Sequence, residues 1–178
     1  MAVELVYETH AITEDNENGI ATGWLPGRLS ERGRVVAAEL GDRRRGDGLA
    51  AVYSSDLDRA VETARIAFAG TDLPLLQDRR LRECDYGDLN GRPVADFPVP
   101  RSRFFEEPFP NGQSYNDVVA ATRDFLGELA GRWGGRRVLV IAHSANRWAL
   151  LHLLTGASMK DLVDAPFVWQ PGWTFTVE

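Results

Sequence analysis

The chain has 178 residues, 44% hydrophobic and 26% charged, the proportions of an ordinary globular protein. Twenty-six acidic against 20 basic residues give a net charge of −6, which argues against nucleic acid or an anionic membrane as partner but allows a local arginine cluster around a small anion. One cysteine, Cys84, excludes an internal disulfide and a multi-cysteine metal site. No early apolar run has the length of a signal peptide or a membrane span, so a single domain over residues 1–178, located in the cytoplasm, is expected.

"AVELVYE" (2–8) is short and rich in branched apolar residues, which predicts a strand running into Thr9 and His10. Residues 11–29, with Asn16, Asn18, Gly19, Gly23, Pro26 and Gly27, read as a long loop of the kind that carries function. Ser30 predicts a helix N-cap, and Val35, Val36, Ala37 and Leu40 an apolar face. Gly41 or the arginines after it are expected to end that helix. "LAAVYSS" (49–55) predicts a second strand, residues 56–70 a helix closed by Gly70, and "LPLLQ" (73–77) a short third strand. Residues 81–112 hold five prolines between Pro93 and Pro110 and are expected to be irregular. Helix is predicted again over 113–133. "RVLVIAH" (137–143), with its unbroken apolar run, has the pattern of a buried parallel strand. Residues 144–154 predict a helix and "GWTFTVE" a final edge strand.

Strands alternating with helices imply an α/β fold, a three-layer α/β/α arrangement around a mostly parallel sheet. Ligands bind beyond the carboxyl ends of such strands. Three of the predicted ends carry chemistry: Thr9-His10, Ser54-Ser55 with Arg59 in the next helical turn, and His143-Ser144. His152 lies mid-helix in an apolar stripe and is expected to pack in the core.

Four stretches then resemble one family, the histidine phosphatase (phosphoglycerate mutase-like) superfamily. "THAITEDNENGIATGWLPGRLSERG" is similar to its opening block through His10, Asn16, Thr22, Gly23, Trp24, Leu29 and Ser30. "YSSDLDRAVETARI" resembles the block that carries a phosphate-binding arginine, here Arg59. "LRECDYGDLNG" resembles the block with the proton-donating glutamate, here Glu83, and "VLVIAHSANRW" the block with the second histidine, His143.

The resemblance implies a small phosphorylated substrate, a phosphohistidine on His10, and donors to the phosphoryl oxygens from Arg59 and His143. Asn16 and Thr22 would add neutral hydrogen bonds. Glu83 would protonate the leaving oxygen and then activate water. Neither cofactor nor metal is implied.

Three positions depart from the pattern: Thr9 stands where the family has arginine, and Ala11 and Ser144 where it has glycine. Thr9 brings only a hydroxyl to the phosphate, so a weakened enzyme is expected, with Arg28 and Arg147 as candidate replacements. Strand alternation turns Glu8 to the face opposite Thr9. The segment after Glu83 is short, which favours a phosphatase over a mutase. A phosphate-binding relative without catalysis, a mutase-type phosphotransferase, and an enzyme for a carboxylate in place of a phosphate remain alternatives. Residues 93–112, with Phe97, Arg101, Arg103, Phe104 and Phe105, either contact the substrate body or form a loop packed down by its phenylalanines.

Overall fold

The computed structural model describes residues 1–178. Strand β1 spans Val3–Thr9. The segment after it is more ordered than its composition suggests. Thr13 and Asn16 cap each other reciprocally to make one helical turn, α1 (Glu14–Glu17), and β2 (Ile20–Ala21) follows. Helix α2 (Glu31–Arg44) begins where Ser30 accepts the Gly33 N–H. It does not stop at Gly41. A Cβ there would lie 2.1 Å from the Ala67 carbonyl oxygen, so this glycine serves a close helix–helix approach.

Strand β3 (Ala51–Ser54), helix α3 (Asp58–Ala67) and strand β4 (Leu75–Gln77) come next. Residues 81–112 contain only short 3₁₀ turns and β5 (Arg92–Pro93), which pairs antiparallel with β2. Ser114 and Asp117 form a capping box at the start of α4 (Tyr115–Trp133). Strand β6 (Arg137–Ala142) and helix α5 (Ser144–Thr155) follow as expected, then a short helix the sequence pattern did not indicate, α6 (Met159–Asp164), and strand β7 (Trp173–Val177).

The main sheet has the order β4-β3-β6-β1-β7, parallel except for β7, which lies antiparallel against β1 at one edge. Alternation along the strands sends Val6, Val52, Leu139 and Ile141 toward Leu40, Ala64 and Phe68 on the α2–α3 side. Leu5, Tyr7, Tyr53 and Val140 face Phe125, Leu129 and Leu150 of α4 and α5 on the other side. This is the expected mostly parallel sheet between two helical layers. A third cluster joins Tyr86, Phe97, Phe104 and Phe109 to Tyr115, Trp148 and Met159. The proline-rich connection is therefore pinned down by its own phenylalanines.

His152 corrects one expectation. It is half-buried rather than in the core, with Nδ1 2.8 Å from the Ala157 carbonyl oxygen and Phe105 beside the ring.

Candidate active site

Residues Thr9 of β1 and Ala142 of β6 are register partners, so the next residue of each strand, His10 and His143, emerges side by side on the carboxyl rim. Their rings lie 5.1 Å apart between centroids, tilted by 54°. The His10 N–H continues the ladder to the Ala142 carbonyl at 2.9 Å. Nδ1 of His10 is 2.7 Å from the Ala11 carbonyl. A carbonyl only accepts, so the ring hydrogen sits on Nδ1 and the lone pair on Nε2. Burial, reinforced by the Arg59 charge, pushes the His10 pKa down to about 3. His10 is thus a neutral imidazole with its Nε2 lone pair free.

His143 is fully buried, and burial with the Arg59 charge holds its pKa well below the ordinary histidine value. Its Nε2 is 2.6 Å from the Ser55 hydroxyl at the end of β3, and its Nδ1 has no partner. The backbone is clamped on both sides: its N–H donates to Asn146 Oδ1, and its carbonyl accepts the Tyr7 hydroxyl.

Arg59 projects from the first turn of α3 and is buried. Nη2 donates to the Gly23 carbonyl at 2.8 Å and Nη1 to that of Leu25 at 2.9 Å, drawing the 23–26 turn onto the guanidinium. Burial lowers its pKa, and the Glu83 charge works in the opposite direction. Glu83 is buried too. Its Oε1 accepts the Cys84 N–H at 2.8 Å, and its carbonyl accepts the Trp24 indole N–H. Burial raises its pKa against the pull of that N–H and of Arg59 and Arg101.

Thr9, His10, Asn16, Thr22, Arg59 and Glu83 all line one cleft of about 860 Å³; His143 is fully buried outside that lining, its ring 5.1 Å from that of His10. Asn16 and Thr22 are partly engaged already. The Asn16 carbonyl oxygen accepts the Thr13 N–H, and the Thr22 hydroxyl donates to Asp15 at 2.7 Å. Glu8 is buried, its carboxylate held by Arg43 at 2.8 Å and Arg44 at 2.8 Å, so its charge is compensated.

Neither candidate replacement for the missing arginine enters the cleft. Arg28 is exposed and pairs with Glu14 at 2.7 Å. Arg147 stacks against Phe167 and Trp173 outside the cleft lining. Besides Arg59, the cleft is lined by Arg32 and Arg43 of α2 and by one arginine of the proline-rich connection. Arg101 lines the cleft near Glu83, packed over Phe97 and Tyr86, with its buried Nε unpartnered. Arg103 points away to Glu107.

Sequence reasoning treated Ser55 only as a strand end and missed Tyr7, Phe167 and Trp169. Alternation along β1 places Tyr7 on the same face as Thr9, a signal that was available. No group of three His, Cys, Asp or Glu side chains converges on a metal-sized site. No helix is long and apolar enough to cross a membrane.

Two adjacent histidines on a sheet rim lie with a buried arginine and a buried glutamate in a chain whose residues 9–168 match the family model of the histidine phosphatase superfamily, branch 1, and the chain belongs to that superfamily. It is 32% identical over 173 residues to a 2,3-bisphosphoglycerate-dependent phosphoglycerate mutase of a Methylobacterium species, covering 89% of this chain and 83% of that protein. It is 30% identical over 166 residues to phosphoserine phosphatase 1 of Hydrogenobacter thermophilus, covering 89% and 79%. Among solved structures, Bacillus stearothermophilus YhfR superposes with a TM-score of 0.84 at 27% identity, over 95% of this chain and 88% of that one. The relatives include phosphatases and mutases alike, so the superfamily is fixed and the reaction class is not.

Proposed function

We propose that the protein hydrolyses a small phosphomonoester through a phosphohistidine on His10. The observation that carries this reading is the His10 Nδ1–H bond to the Ala11 carbonyl, which leaves the Nε2 lone pair free in a neutral ring on the cleft floor. Nε2 attacks phosphorus, the N–P bond forms as the P–O bond to the leaving group breaks, and Glu83 gives that oxygen its proton. Water then attacks phosphorus. The Glu83 carboxylate takes the water proton, and inorganic phosphate leaves as His10 returns to its neutral form. Arg59 and the Nδ1–H of His143 stabilise the phosphoryl oxygens, with neutral help from Asn16, Thr22 and Thr9. Thr9 removes one charge-assisted contact. At about 1 kcal/mol for a neutral bond against roughly 1.5–3 for a charged one, the reaction slows without stopping.

A mutase reading draws on the similarity to the Methylobacterium enzyme. Against it stands the short connection after Glu83, whose Phe97, Phe104 and Phe109 are buried in the core and give the phosphoenzyme little cover from water. The test is p-nitrophenyl phosphate turnover by the wild type and by His10→Ala, with glycerate added to compete with water. Phosphate release that vanishes in His10→Ala is the expected result. Turnover that survives the substitution overturns the nucleophile, and transfer to glycerate without phosphate release establishes the mutase.

A further inference from the structure

The cleft is far larger than a phosphoryl group, and most of what remains of it is apolar. Away from the histidines it runs between α2, through Val36 and Leu40, and the segment after α6, through Ala165, Phe167 and Trp169. Of the phenylalanines that the sequence offered for substrate contact, Phe97 and Phe104 are buried in the core, and Phe105 is half-buried outside the cleft lining. Phe167 and Trp169 are 56% and 54% exposed on the cleft wall. Each ring has a cation over its face, Arg147 outside the cleft lining at 5.3 Å from Phe167 and Arg43 within it at 5.8 Å from Trp169. Arg43 is itself anchored on buried Glu8. The only other charges on the α2 wall, exposed Arg32 and Glu39, have opposite signs and offer no net field to a second anionic group. Uncovered aromatic faces beside a phosphate pole suit an apolar ligand body.

Resting on the phosphatase reading of the other pole, we propose that the substrate's leaving group carries a flat apolar body, an aryl or fused-ring group, held by Phe167 and Trp169 against Val36. Small polar leaving groups such as serine or glycerol leave these rings uncovered and are poorer substrates.

The test compares 2-naphthylmethyl phosphate with ethyl phosphate, primary-alcohol esters of similar intrinsic reactivity, and the two matching phosphonates as non-reacting ligands. The wild type should favour the naphthylmethyl ester in kcat/KM by about tenfold or more, the scale set by one apolar group in a pocket. The phosphonates should show the same preference in calorimetric Kd. Phe167→Ala/Trp169→Ala should collapse both ratios toward one, and the milder Phe167→Leu/Trp169→Phe should restore part of each. Equal treatment of the two esters and of the two phosphonates by the wild type overturns the inference while leaving the phosphatase reading in place. Selective phosphonate binding with no turnover of either ester supports the apolar subsite and removes the phosphatase reading. A concentration-dependent dimer that the alanine variant abolishes, with ligand ratios unchanged, assigns the rings to self-association and overturns the inference.

Discussion

The Ser55 hydroxyl lies 2.6 Å from Nε2 of His143 and reaches no other acceptor. Its oxygen already takes the Leu57 N–H at 3.3 Å, and the residue is fully buried. A buried hydroxyl hydrogen needs an acceptor, so it goes to Nε2 and leaves the His143 ring hydrogen on unpartnered Nδ1. Ser55 thus sets the tautomer in which His143 Nδ1 carries the hydrogen, the form the proposed mechanism uses. Ser55→Ala is expected to lower kcat roughly fivefold to tenfold, the worth of about one net hydrogen bond. Ring nitrogen-15 shifts should move from the Nδ1–H form toward a mixture. An unchanged tautomer with unchanged kcat refutes the assignment.

Thr9 lines the cleft next to His10 and brings no charge there. Arg101 approaches from the Glu83 side, and Arg59 from α3. Thr9→Arg should therefore raise kcat/KM for phosphate esters by roughly twofold to thirtyfold, the difference between a charged and a neutral contact in the transition state. A variant that folds normally and gains nothing indicates that the pocket has adapted to work without a cation at this position.

How far the sequence could be read depended on the range of the interactions involved. Strand ends were legible because each rests on a local pattern: the apolar run of β6 and the alternation in β1 delivered His10 and His143 to the right rim. Ser30 was readable as a cap for the same reason. The 11–29 segment was not, because α1 depends on a reciprocal Thr13–Asn16 contact and β2 on pairing with residues 73 positions away, Ile20 with Pro93. Of the two helix stops offered, the arginines hold, since α2 ends at Arg44, and Gly41 does not, because the close approach it serves comes from Ala67 on another helix. Arg147 and Arg101 could not be ranked from sequence. Which arginine reaches the cleft is decided by how Phe167 and Phe97 pack, a tertiary matter.

Glu83 leads to a prediction on pH. Burial raises its pKa, so it keeps its proton further up the pH scale, where a leaving oxygen needs one. In the wild type, kcat/KM for an alkyl phosphate should fall as pH rises through the raised Glu83 pKa. Glu83→Gln should lose that alkaline limb and roughly 10²–10⁴ of the rate with alkyl esters. It should lose far less with p-nitrophenyl phosphate, whose leaving group needs no proton. Equal losses on the two esters would point to a structural role for this carboxylate instead.

The contact between α2 and α3 can be tested without touching the site. Gly41→Ala would place a methyl 2.1 Å from the Ala67 carbonyl oxygen, and that oxygen also accepts the Arg45 Nε–H at 2.7 Å. Backbone cannot yield as a flexible side chain does, so the helices must separate. A loss of about 1–3 kcal/mol is expected despite the better helix propensity of alanine. A urea midpoint equal to or above the wild type would show that the approach is looser than described.

Acid stability follows from the same two rim histidines. Unfolded, each has a pKa near 6.5. Folded, His10 lies at about 3 and His143 also well below its ordinary value, because burial and Arg59 disfavour the charged rings. As pH falls from 6.5, the unfolded chain takes up protons at both positions and the native chain does not, so stability declines toward pH 3. Glu83 acts in the other direction: its raised folded pKa adds stability at low pH and loses it as pH climbs through that pKa. Two histidines oppose one carboxyl, and the net slope over the upper part of the window should be on the order of 1 kcal/mol per pH unit. Urea midpoints measured from pH 7.5 to 5 should fall steadily for the wild type and more gently for His10→Gln. Parallel slopes for the two proteins would mean that His10 takes up its proton at the same pH folded and unfolded, so that burial and Arg59 do not hold the ring neutral.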